Sequence, residues 1–270
     1  MRLRHIGFAA IVMMIGVALA TAAVSNVLII NGSSTTSESG TTSSVTTNLQ
    51  NDIVAAGGTP TVVDGIPSSI AGYSQVWDIR FSNSSPLSGA DITKYVSYMA
   101  SGGALFVMGE NSGFTTRNNT VFALITAAGG GTLSFLVPSS TQTVNSPFTL
   151  PNAVSTITYS GPGGVGGASG TGTGTFMTVD GSNNGTGLYW NKTTMSNAPA
   201  GVLAVVFDVN FMQTSADTNS QNFLKNLIGF YVAVTSAPAT VPALSPLALM
   251  LLGVLLLGVA AKFARGYSAA

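Results

Sequence analysis

The chain has 270 residues, 46% hydrophobic and 7% charged, with nine basic and nine acidic side chains, one histidine and no cysteine. The histidine is His5, so everything downstream lacks disulfides, Cys–His and Ser-His-Asp nucleophiles, and metal sites built from imidazole and thiolate. Arg2, Arg4, Lys262 and Arg265 lie at the ends, which leaves five bases against nine acids between them, a weakly acidic surface unsuited to nucleic acid or anionic headgroups.

The N-terminus reads as a signal peptide over residues 1–22. Arg2, Arg4 and His5 form a positive region, residues 6–20 an apolar one, and Ala20-Thr21-Ala22 a small-residue cleavage site. Export through the secretion translocon, with removal by signal peptidase, is the expectation.

Val27-Leu28-Ile29-Ile30 is a continuous apolar run, as for a strand buried on both faces of a parallel sheet. It ends at Asn31-Gly32-Ser33 and a Ser/Thr-rich loop reaching about Ser44. Val45, Leu49 and Ile53 follow at helical spacing and stop at Gly57-Gly58. Thr61-Val62-Val63 predicts a second strand closing at Asp64, and Val76-Trp77-Asp78-Ile79 a third. Ile92, Tyr95, Val96 and Met99 make a helical stripe with Ser88 or Asp91 near its start. Residues 104–108 predict a fourth strand, and a helix from about Arg117 carries Val121, Leu124, Ile125 and Ala128 to Gly129.

Residues 132–197 change to short β-like runs and read as a β-rich insertion with a Gly-rich surface loop. There Gly161-Pro162-Gly163-Gly164-Val165-Gly166 matches G-x-G-x-x-G in form, but no helix follows to receive a pyrophosphate. The alternating pattern resumes with a strand over residues 202–207 and a helix bearing Phe223, Leu224, Leu227 and Ile228; residues 232–239 link to the tail. Strands alternating with helices predict an α/β domain over 24–234, a doubly wound, mostly parallel sheet with right-handed crossovers.

The tail divides into a linker and motif over 235–243, an apolar segment over 244–263 and a basic end over 264–270. About twenty residues of helix at roughly 1.5 Å each suffice for a hydrocarbon core of about 30 Å. Lys262 and Arg265 would hold its C-terminus in the cytoplasm. Read on hydrophobicity alone, this is a plain C-terminal anchor.

The residues Val241-Pro242-Ala243-Leu244-Ser245, before that helix and basic end, resemble the PEP-CTERM class of bacterial sorting tails, in the variant named for Ile-Pro-Thr-Leu. The match departs at Val241 and Ala243. The resemblance implies a Gram-negative carrier, an inner-membrane intermediate, processing by an exosortase-type transpeptidase, and a cell-surface or extracellular destination beside extracellular polysaccharide.

The strand and turn over residues 102–113, with Gly109-Glu110-Asn111-Ser112-Gly113 at its end, resemble the flavodoxin-like sheets of the class I glutamine amidotransferase superfamily. In catalytic members that turn is a nucleophile elbow, Gly-x-Cys-x-Gly; here Asn111 takes the cysteine's place. The resemblance implies the fold without the amidotransferase chemistry.

Ligands of such sheets bind outside the carboxyl ends of the strands. The candidate pocket is therefore Asp64, Asp78, Glu110, Asn111, Arg117 and Asp208, with Asn31 beside it. Carboxylates there suit a hard cation or acid–base work, whereas Asp and Asn also cap helices and close turns. Tyr73, Trp77, Tyr159, Tyr189 and Trp190 are candidates for stacking on sugars, with Tyr189-Trp190 placed best. No catalytic residue, metal site or cofactor is assigned. The leading expectation is an exported, non-catalytic surface or matrix protein. The alternatives are a carboxylate hydrolase acting on glycans and a small-ligand or cation-binding module.

Overall fold

β1 (Asn26–Ile30) sends Val27 and Ile29 to one face of the sheet and Leu28 and Ile30 to the other, all buried, because helices cover both faces. The computed structural model describes residues 25–235. The expected signal segment and the tail beyond Thr235 lie outside the described residues, and so do the expected sorting motif and the apolar run over 244–263. Among the described residues no helix is long and apolar enough to cross a membrane.

After β1 come α1 (Ser39–Ala55), β2 (Thr59–Val63), β3 (Gln75–Asp78), α2 (Gly89–Ala100), β4 (Ala104–Met108) and α3 (Thr115–Ala128). β5 (Thr141–Val144), β6 (Thr156–Thr158), β7 (Thr175–Phe176), β8 (Thr178–Val179) and β9 (Gly187–Trp190) fill the next stretch, before β10 (Val202–Val206) and α4 (Thr218–Thr235). The architecture is mixed α/β around a mostly parallel sheet. Its strand order is β2-β1-β3-β4-β10-β9-β7, parallel from β2 to β10, with β9 antiparallel to both β10 and β7.

Two cores result. α1, α4 and the small antiparallel sheet β6-β5-β8 pack on one face, around Trp77, Phe106 and Phe223. α2 and α3 pack on the other, around Tyr95, Met99, Leu124 and Ile125. On the first face Trp77 stacks on Phe106 with ring centroids 4.8 Å apart, and Tyr231 of α4 lies 5.1 Å from Trp77.

Local chemistry sets most boundaries. Ser88 and Asp91 form a reciprocal capping box at the start of α2. Gly129 ends α3 with φ 83°, a left-handed cap that glycine adopts without a Cβ penalty.

Three stretches depart from the sequence reading. α1 begins at Ser39, inside the presumed Ser/Thr loop, because Thr42 and Thr46 are buried and extend the apolar stripe of Val45, Leu49 and Ile53 by one turn. α4 runs on into the presumed linker as far as Thr235, with Tyr231 buried. The segment 132–197 is shared between sheets: β7 and β9 extend the main sheet, while β5, β6 and β8 build the small one.

Phe106→Ala empties the centre of the first core. We expect a loss of roughly 3–5 kcal/mol in urea unfolding at unchanged m-value; a loss below about 1 kcal/mol contradicts the packing described.

Candidate functional site

The carboxyl ends of β1, β3, β4 and β10 carry the polar side chains expected at a ligand edge, but they divide into separate groups. At the end of β3, Asp78 is fully buried. Its Oδ1 accepts from Arg80 Nε at 2.8 Å and its Oδ2 from Arg80 Nη2 at 2.6 Å. Tyr95 of α2 donates its hydroxyl to Oδ2 at 3.0 Å, and Arg117 Nη2 of α3 stands 3.3 Å from Oδ1. Burial pushes the Asp78 carboxyl up, but the guanidiniums of Arg117 and Arg80 overcome it and hold the group at about 2. Arg117, also fully buried, donates Nε to the Met108 carbonyl at 3.0 Å and Nη1 to the Ser85 carbonyl at 2.9 Å.

Glu110, Asn111 and Asp208 form the second group, at the ends of β4 and β10. Glu110 is 2% exposed. Its Oε1 accepts from the Asn111 amide and side chain at 2.9 and 3.0 Å, and its Oε2 from Val209 N at 2.8 Å. Burial first, and the charge of Asp208 second, raise the Glu110 carboxyl to about 7 against the backbone donors. Asp208 is buried as well, and its carboxyl is likewise raised by burial. Its Oδ1 accepts from Asn210 N at 2.8 Å and its Oδ2 from Gly161 N at 2.9 Å. Asn111 accepts from Gly113 N at 2.9 Å and so caps the short 3-10 turn Ser112–Phe114.

A segment of the β-rich stretch lies across this second group. Gly163 donates its N–H to the Phe207 carbonyl at 2.8 Å, and a Cβ on it would meet the Glu110 carbonyl at 2.5 Å. Residues 162–166 are buried, so the Gly-rich segment expected at the surface is instead a plug. Its glycines serve close approach and no phosphate.

Asp64 stands apart and exposed. It accepts from Ser33 Oγ at 3.0 Å and from the Ser34 amide at 2.7 Å, and it also bonds the Ser34 hydroxyl. Asn31, at the end of β1, donates to Thr46 Oγ1 at 3.4 Å. The six candidates therefore occupy three places: Asp78 with Arg117, Glu110 with Asn111 and Asp208, and Asp64 alone.

Three of the five aromatic candidates, Trp77, Tyr159 and Trp190, fall inside the fold. Trp190 is buried and donates Nε1 to the Gly130 carbonyl at 3.1 Å, and Tyr189 packs edge-on against Phe148 and Phe230. Trp77 and Tyr159 are buried too, which leaves no face of the Trp77, Tyr159 and Trp190 rings for a sugar; Tyr189 is half-buried, and Tyr73, also half-buried, lines a cleft at the other end of the sheet.

Two positioning residues escaped the sequence reading. Asn118 accepts from Glu110 N and donates to the Glu110 and Asn111 carbonyls, fixing the elbow from α3. Asn83 accepts from the Thr116 and Arg117 amides and donates to the Gly113 carbonyl. Both sit in N-x-[ST] triplets common throughout this chain; Asn118 at a predicted helix start carried a local signal, and Asn83 carried none.

Among the described residues no cluster of three or more His, Cys, Asp or Glu side chains could hold a metal ion. A cleft of about 510 Å³ opens at the opposite, amino end of β3 and β4, between residues 68–74 and α2.

No protein-family model and no curated protein matches the sequence. Solved structures do. The N-terminal domain of mmIFT52 aligns with a TM-score of 0.55 at 14% identity, over 80% of this chain and 100% of that one. Weaker matches are the exo-beta-1,4-mannosidase Op5Man5 from Opitutaceae bacterium strain TAV5 (TM-score 0.46, 10% identity, 80% of this chain) and the cold-adapted beta-galactosidase from Rahnella sp. R3 (0.45, 9%, 77%). This chain spans about a third of each glycosidase, 35% and 31%. The first likeness is one of fold alone.

The two groups titrate in opposite senses. Glu110, raised in the folded state, adds stability that is complete below its unfolded value of 4.5 and is lost as pH rises through about 7. Asp78, depressed, adds stability present above 3.8 and lost as pH falls toward 2. The contribution of these two groups to the unfolding free energy should therefore be greatest on the acid side, near pH 4–5, and the Glu110 part of it should fall toward pH 7 by on the order of 3 kcal/mol, lowering the melting temperature with it. Glu110→Gln should flatten that upper limb; a limb unchanged in the variant contradicts the assignment.

Proposed function

We propose that this chain is an exported, non-catalytic cell-surface or matrix protein, delivered by its signal segment and processed at its C-terminal tail by an exosortase-type transpeptidase. The observation that carries the non-catalytic reading is the state of the elbow. Asn111 stands where a nucleophile would, and both ends of its amide are bonded within the turn. Every carboxylate oxygen of Glu110 and Asp208 accepts a backbone N–H, and the plug at Gly163 lies over them. Such groups hold backbone in place and leave no free acid–base pair.

The strand order 2-1-3-4 followed by β10, with helices on both faces, supports a flavodoxin-like, doubly wound sheet of the glutamine amidotransferase type. On that reading the small sheet and the plug are an elaboration that closes the old active-site edge. Val241 to Ser245, the apolar run after them, and Lys262 with Arg265 support a transient inner-membrane intermediate in a Gram-negative bacterium. Extracellular polysaccharide is the surrounding we assign to the released domain.

A carboxylate hydrolase is the second reading, favoured by one observation: Glu110 at about 7 beside the charge of Asp208. Its test is turnover of glycan substrates by the wild type and by Glu110→Gln/Asp208→Asn. Activity lost in the folded double variant would replace our reading.

The processing test is mass spectrometry of the mature protein. We expect an N-terminus just after Ala22 and loss of the residues beyond the 242–246 region. A mature chain still ending at Ala270 rejects processing and leaves a plain anchor.

A further inference from the structure

The loop between β2 and β3 is held against α2 at two points. Lys94 donates Nζ to the Pro67 carbonyl at 2.7 Å, and Tyr98, one helical turn on, donates its hydroxyl to the Tyr73 carbonyl at 3.2 Å. Between these bonds Ile70 is 3% exposed and sinks into the second core. Gly103 lets the Tyr98 ring lie close on the backbone, since a Cβ there would collide with it. The cleft of about 510 Å³ between this loop and α2 is therefore built into the fold. Its volume lies in the range of small-molecule sites, roughly 300–1,000 Å³.

The polar groups of this cleft are accessible and largely unspent. Ser68 and Ser97 are exposed, and neither hydroxyl bonds any described residue. The Tyr73 hydroxyl bonds none either, and its half-buried ring packs against the second core and borders the cleft. The Lys94 ammonium has three N–H donors and spends one on Pro67. Among the described residues it pairs with no carboxylate, and no acid lines the cleft. The other two lysines are exposed: Lys225 has the charge of Asp52 nearby, and Lys192 bonds the Val234 carbonyl at the end of α4. Lys94 alone among the described lysines is held half-buried in a cleft without an acid.

The charges decide the ligand class. An ammonium without a counter-ion favours one negative charge beside it. α2 ends at Ala100, six positions after Lys94, about 9 Å at roughly 1.5 Å per residue. The negative end of the helix dipole there disfavours a compact dianion such as phosphate. A ligand carrying a single charge at Lys94 and neutral groups toward the helix end satisfies both. Serine hydroxyls donate and accept, as sugar hydroxyls do, and a tyrosine ring offers an apolar body with a polar tip. A polyhydroxylated carboxylate matches every one of these groups.

We propose that this cleft binds an acidic sugar, a hexuronate whose carboxylate meets Lys94 and whose hydroxyls meet Ser68 and Ser97. The site rests on the cleft and is independent of how the tail is processed.

The test titrates the full-length chain, in a detergent without sugar or carboxylate in its headgroup, with glucuronate, galacturonate, trigalacturonate, glucose, galactose, benzoate and inorganic phosphate. We expect at least one uronate to bind with a Kd on the order of a millimolar. Its parent hexose should bind about tenfold more weakly, because the bond to a charged group is lost. Trigalacturonate binding tighter than galacturonate supports the site with a polymer as its source, and equal binding supports it with the free sugar. Lys94→Met, which keeps the apolar stem, should weaken the uronate about tenfold and leave the hexose unchanged, a split that a merely structural effect does not give. Ser97→Ala, at an exposed position that leaves the fold intact, should weaken both about threefold. Unchanged uronate binding in both variants, hexose binding as tight as uronate binding, tighter binding of benzoate or phosphate, or no uronate binding at about 100-fold above that Kd would each overturn the proposal.

Discussion

A sheet that is apolar on both faces needs charge confined to its edges, and here the Asp78 carboxylate is the point where that requirement is hardest to meet. It ends β3 in the middle of the parallel region, fully buried. Removing a carboxylate from water costs several kcal/mol, while one opposite charge at about 4 Å returns roughly 4 kcal/mol at an effective dielectric constant near 20. One guanidinium would roughly balance the cost; two, with the Tyr95 hydroxyl, exceed it, and the carboxyl is held at about 2. The partners come from different elements: Arg80 from the turn after β3, Tyr95 from α2, Arg117 from α3. Arg117 then uses its other nitrogens on the Met108 and Ser85 carbonyls. Satisfying one acid thus fixes two helices and the end of β4 against one another.

The elbow depends on that arrangement. Asn118 stands one residue after Arg117 in α3, so the helix that neutralises Asp78 also delivers the carboxamide that holds Glu110 and Asn111. Glu110 reaches across to Val209, and Asp208 reaches to Gly161, which brings the plug over the strand ends. The strand-end edge where open α/β sheets bind ligands is occupied here by backbone hydrogen bonds.

The parallel strands were legible because each is a short apolar run bounded by polar turns, and residues 104–108 read as β4 to the residue. α2 was legible from its stripe and its capping box. α1 hid its first turn because Thr42 and Thr46 face the core while looking polar in sequence. The Gly-rich segment 161–166 looked like a surface loop because close approach of backbone to backbone leaves no apolar signal. Glu110 and Asp208 were placed correctly at the strand ends, but their pairing with Gly161 and Val209 depends on distant segments that no local pattern reveals. The burial of Trp190 against Gly130 is equally non-local.

The most direct test of the account is Asp78→Asn, followed by urea unfolding at pH 7. Removing the charge leaves the guanidinium of Arg117 buried without an ionic partner and strips Arg80 of its bidentate one. The account predicts a loss of roughly 3–5 kcal/mol, the range for breaking a buried pair from one side. A loss below about 1 kcal/mol, or a gain, would contradict the claim that this carboxylate organises the edge of the sheet.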